Sequence, residues 1–87
     1  MTEYRTRELH EATAISLFVK ITRLEYDPKR KEILFIFPQE AVEYSGKYWD
    51  SNLQVDAKAF TTAFKEMKIR LFAFKKQKEE DNGGREN

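Results

Sequence analysis

Asp56-Ala57-Lys58-Ala59-Phe60-Thr61-Thr62-Ala63-Phe64-Lys65-Glu66-Met67-Lys68-Ile69-Arg70-Leu71-Phe72-Ala73-Phe74 is the stretch that decides the fold class. Phe60, Phe64, Met67, Leu71 and Phe74 recur at spacings of four and three, which places them on one narrow face of an α-helix. Asp56 supplies the start signal, because a carboxylate at the N-cap accepts a hydrogen bond from an orphan amide of the first turn. The pattern predicts a main core helix from Ala57 to about Lys76. Its opposite side carries Lys58, Lys65 and Lys76 with Ile69 and Phe72 beside them, a mixed basic and apolar surface distinct from the core stripe.

Upstream of this helix, Ile33-Leu34-Phe35-Ile36-Phe37 is apolar at every position, as in a strand covered on both faces or lying at a homodimer interface. Ile21, Leu24 and Tyr26 precede it with β-branched and aromatic side chains, and Asp27-Pro28-Lys29-Arg30-Lys31 between them reads as a turn. These segments predict a β-hairpin. Nearer the N-terminus, Leu9, Ala12, Ile15, Ser16 and Val19 follow helical spacing behind Thr6 as N-cap, which predicts a helix from Arg7 to Phe18. Glu40 to Tyr44 offers one or two helical turns that Ser45-Gly46 would end, and Leu53 to Val55 offers a short extended piece. The expected fold is a small two-layer α+β domain: a two- to three-stranded antiparallel hairpin packed on N- and C-terminal helices, in the order α-β-β-(α)-α. Residues 1–76 form that domain, and 77–87, polar throughout, form a disordered tail.

Composition bounds the function. Eighty-seven residues suffice for one core only, rich in rings because the chain holds seven Phe and four Tyr. There is no Cys and a single His10, so neither a disulfide framework nor a thiolate or multi-His metal site is expected, and no cofactor is implied. No apolar run reaches the roughly 20 residues that span a bilayer, and the charged first ten residues do not resemble a signal peptide, so the expected location is cytoplasmic with no membrane partner. A net charge of +1 lacks the bulk positive field of many nucleic-acid binders.

Catalysis needs titratable groups gathered in a water-poor site. Glu40 with Glu43, and Asp50 with Asp56, read instead as solvated acids and a helix cap. His10 has no nucleophile motif near it. Only Gly46, Gly83 and Gly84 exist, and no Gly-rich loop opens a helix, so a nucleotide-hydrolysis motif is missing while nucleotide binding without hydrolysis stays open.

The residues Tyr4-Arg5-Thr6-Arg7-Glu8-Leu9, Ala12, Phe35-Ile36-Phe37, Tyr48-Trp49, Val55 to Phe60 and Lys68 to Phe72 together resemble a family of short uncharacterised bacterial and phage domains of unknown function, over about positions 4 to 74. That resemblance implies an α-β-β-α order and, through the phage members, an accessory or host-interaction role. It implies no activity.

The remaining reading is a non-enzymatic binding module. Lysines that neutralise phosphates beside rings that stack on bases suit nucleic acid. The expected contacts are Lys29, Arg30 and Lys31 at the hairpin tip, with Lys58, Lys65, Ile69, Phe72 and Lys76 on the last helix. The alternative is a protein-interaction or inhibitor module in which Ile69 and Phe72 anchor a partner inside a polar rim. Tyr48 and Trp49 form a further candidate aromatic contact. Homodimerisation is expected through the Ile33 to Phe37 strand.

Overall fold

The computed structural model describes residues 2–86, with side chains through Lys78. Six elements follow in order: β1 (Glu3–Thr6), α1 (Leu9–Ser16), β2 (Arg23–Asp27), β3 (Glu32–Pro38), α2 (Ala41–Trp49) and α3 (Ala57–Glu86). The strands form one antiparallel sheet in the order β1-β3-β2. Because β1 and β2 both run antiparallel to β3, they are parallel to each other, and the hairpin's second strand fills the gap between them. The expected α+β class is what the chain adopts.

The third strand comes from the N-terminus rather than from Leu53 to Val55. Tyr4 and Thr6 lie opposite Phe37 and Phe35, so alternate residues of β1 point to the core while Glu3 and Arg5 point away. Thr6 is accordingly the last strand residue, and Glu8 stands at the N-cap position of α1. The Thr6 hydroxyl still serves the corner: it accepts from the Glu8 amide at 3.1 Å and donates to Glu11 Oε1 at 2.7 Å.

The position of β3 bears on the strand named above for homodimerisation. It is the central strand, paired to β1 over Phe35 to Pro38 and to β2 over Glu32 to Ile36, so Phe35 and Ile36 are flanked on both sides within the chain. Phe35 and Phe37 face the helices and join Ala12, Ile15, Val19, Ile21, Ala41 and Met67 in the core. Ile36 points to the other face and is nevertheless wholly buried. Its cover is a lattice of ions from the flanking strands. Arg23 holds both Glu3 oxygens at 2.7 and 3.0 Å and Glu25 Oε2 through Nε at 2.8 Å, while Arg5 reaches Glu25 at 3.4 Å and Glu3 at 3.8 Å.

Helix α2 runs through Ser45-Gly46, where a break is expected, because Ser45 faces inward and bonds to Glu11 while Gly46 lies exposed with open space around it. The helix ends further on. Ser51 takes φ 63°, the Ser51 amide bonds to the Tyr48 carbonyl, and the Asn52 amide bonds to that of Lys47, the Schellman arrangement that satisfies terminal carbonyls.

Helix α3 begins as expected, with Asp56 Oδ2 accepting from the Ala59 amide at 2.9 Å. It continues to Glu86, past Lys76 and through Gly83-Gly84, over the stretch expected to be a disordered tail; Asn87 lies outside the described residues. Residues 75–80 are Lys, Gln and Glu, all good helix formers, so backbone propensity carries the helix without apolar packing. Thirty residues at 1.5 Å each make about 45 Å, which matches a longest molecular dimension of 49 Å. Of the expected core stripe only Met67 is buried; Leu71 packs at the core's edge, and Phe60, Phe64 and Phe74 are half-buried.

Candidate functional site

Two polar constellations and one cleft stand out. The first constellation is buried. Glu11 is 1% exposed and accepts hydrogen bonds from Tyr4 at 2.5 Å, Ser45 at 2.6 Å and Thr6 at 2.7 Å, tying β1, α1 and α2 together. Burial, with the neighbouring Glu11 carboxylate, raises the Tyr4 hydroxyl above its ordinary value. A buried acid so completely partnered offers no open face to a substrate, and its work is to cross-link three elements. The sequence carried a signal for it: Glu11 lies four residues before Ile15 and therefore on the same inward helical face.

The second constellation is the ion lattice over Ile36. Hydrogen bonds from Arg23, helped by the nearby charges of Arg23 and Arg5, hold the Glu3 carboxyl below the usual range, and the paired carboxylates hold Arg23 above its own. Two cations meet two anions, so this face presents little net field.

The cleft is different. It lies between β3, the start of α1 and the middle of α3, with a volume of about 320 Å³. Leu9, Ile33, Phe35, Leu71 and Phe72 make an apolar floor and wall, while Arg7, Lys31 and Lys75 stand around it with Glu32 as the one acid. Arg7 Nε lies 3.0 Å from Glu32 Oε2, an ion pair in which that buried oxygen accepts no hydrogen bond. No carboxylate among the described side chains pairs with Lys31 or Lys75.

The expected binding residues distribute around this cleft and along α3. Lys31 and Phe72 line it; Lys29 and Arg30 stay at the exposed hairpin tip, their amides bonded to Asp27 Oδ1. Ile69 and Phe72 are 69% and 63% exposed, so neither packs under α1. Lys58, Lys65 and Lys76 are exposed on the same side, and 18 residues separate the outer two, or about 27 Å of helix. The result is a stripe ending beside a cleft. Sequence reading missed Arg7 and Lys75 as members: Arg7 belongs to the site through the turn between β1 and α1, an element that the periodicity did not separate from the helix. Tyr48 and Trp49 contact each other edge to face at 5.1 Å on α2 and do not line the cleft. His10 stacks on Phe64 at 4.9 Å.

No family model, curated protein or solved structure matches this chain. Among the described residues, no helix is long and apolar enough to cross a membrane.

Proposed function

We propose that the domain is a non-enzymatic module that binds single-stranded nucleic acid along the outer face of α3. The observation that carries this reading is Phe72, a ring 63% exposed on a helix whose residues between Lys58 and Lys78 include seven cations and one acid, Glu66. Lysines can neutralise successive phosphates while an exposed ring stacks on a base, a contribution of about 1–3 kcal/mol per base. The Lys29 to Lys31 tip extends the positive field past the cleft. Self-association through the same stripe is opposed by its own charge, since two copies would bring lysine rows together.

Fluorescence anisotropy with a labelled single-stranded oligonucleotide at low salt tests the reading. Affinity should fall steeply with salt, drop about tenfold in Phe72→Ala, and drop further when Lys65 and Lys76 are both changed to Glu. Absence of binding at low salt, or binding indifferent to salt, would reject it. Ile69 favours a second reading, because an aliphatic side chain 69% exposed is a better anchor for a protein than for a base. Under that reading an acidic protein partner occupies the stripe, and Ile69→Ala weakens capture as much as Phe72→Ala.

A further inference from the structure

The stripe explains Phe72 and the lysines around it, but not the cleft that opens beside them. We infer that this cleft is a pocket for a nucleoside monophosphate group, with the base against the apolar wall and the phosphate among Arg7, Lys31 and Lys75. The inference stands apart from strand binding, since the pocket can take a free nucleotide whether or not a strand follows α3.

Charge selects the head group. Among the described side chains that line the cleft, Arg7, Lys31 and Lys75 outnumber Glu32 by two charges, and a phosphomonoester carries about −1.5 to −2 at pH 7, whereas an internal phosphodiester or a carboxylate carries only one negative charge. Geometry supports the same choice. Glu32 pairs with Arg7 through Nε at 3.0 Å without a hydrogen bond to that oxygen, and a guanidinium in such a pair can turn its planar fork to phosphate oxygens. The wall selects the body of the ligand. The exposed Phe72, the half-buried Ile33 and the buried Phe35 all line it, and a volume of about 320 Å³ falls at the small end of the range for ligand sites.

Lys31 adds an independent observation. It adopts φ 56° at the end of the hairpin turn, a left-handed conformation in which glycine is favoured and a Cβ is strained. Backbone held in a sparsely populated conformation recurs at ligand sites, which makes Lys31 a candidate for a ligand contact where it also borders a cleft. Lys31 does border it.

Nitrogen-15 amide spectra of the full chain, titrated with adenosine 5′-monophosphate, adenosine and inorganic phosphate, test the pocket. The monophosphate should move the amides of Arg7, Lys31, Ile33, Phe35 and Leu71 and bind at least tenfold more tightly than either fragment. Lys31→Gly separates binding from folding: it should reduce affinity about fivefold while the thermal midpoint holds or rises, and Arg7→Gln should behave likewise in binding. Parallel titrations with a short oligonucleotide bearing a 5′-phosphate or a 5′-hydroxyl identify the source. A preference for the phosphorylated end assigns the pocket to strand termini; equal binding of the two strands, with the monophosphate effect intact, assigns it to free nucleotide. No shift with millimolar monophosphate, or shifts that inorganic phosphate reproduces in full, would overturn the inference. So would a Lys31→Gly variant that binds as the parent does.

Discussion

The outer face of the sheet and the outer face of α3 are both charged surfaces with large apolar side chains among the ions, yet they are opposite in character. On the sheet, Arg5, Arg23, Glu3 and Glu25 satisfy one another and close over Ile36, which is wholly buried. On α3 the lysines outnumber their acids and Ile69 and Phe72 stand in solvent. Charge density alone therefore does not mark a site. What distinguishes the two faces is whether the ions have partners and whether the apolar groups have cover.

The largest expected effect follows from cover. Ile36→Ala removes a buried side chain from beneath the lattice and should cost about 2–3 kcal/mol, at the low end for such truncations because long flexible arginines can settle into part of the void. For a domain of this size that is a fall of roughly 10–20 °C in the thermal midpoint. Phe72→Ala, although it deletes a larger group, should stay within about 0.5 kcal/mol of the parent, since an exposed ring gives up little burial and Ala favours helix. Paired thermal melts check this. Equal losses at the two positions would show that α3's face is packed after all, and the contrast would fail.

A smaller effect concerns the ions. The folded state holds Glu3 below its ordinary value of 4.5, chiefly through hydrogen bonds from Arg23. A carboxyl depressed on folding contributes stability that is present above its unfolded value and lost as pH falls through its folded one. The lattice should therefore weaken below about pH 4.5, and Glu3→Gln should make the acid limb of the stability curve shallower. Changing Lys65 and Lys76 to Gln should leave that limb unchanged. Acid titrations followed by circular dichroism measure the slopes, and equal slopes in the parent and Glu3→Gln would remove the lattice from the account of acid stability.

How legible these regions are in the sequence follows from how local their signals are. The α3 start at Asp56, the hairpin around Asp27 to Lys31 and the mixed face at Ile69 and Phe72 are each written in a few neighbouring residues, and periodicity or turn chemistry reveals them. The lattice joins residues twenty positions apart across a strand that comes between them, and no local pattern records that β1 pairs beside β3. Strand β1 itself is only four residues long, too short for alternation to separate it from the helix that follows. The cleft shares this difficulty, since Arg7, Lys31 and Lys75 come from three separate elements. The all-apolar β3 illustrates the converse: its composition indicates cover on both faces, but not that one cover is a helical layer and the other a set of ions.

The smallest expected effect divides two positions that share a backbone conformation. Ser51 and Lys31 are the non-glycine residues with positive φ among those described, at 63° and 56°. Each carries a Cβ where glycine would relieve strain, and glycine's greater freedom in the unfolded chain offsets part of that relief. Ser51→Gly should thus raise stability by about 0.5 kcal/mol, because the Schellman turn after α2 keeps its two backbone hydrogen bonds and gives up only the strain. Lys31→Gly should give a comparable gain while removing an ammonium from the cleft. Chemical denaturation places both variants on one stability scale, and the nucleotide titration separates them: Ser51→Gly should bind as the parent does. If it were instead to lose affinity in step with Lys31→Gly, the loss would belong to altered turns in general, and Lys31 would forfeit its distinction as the strained residue whose side chain has a ligand to hold.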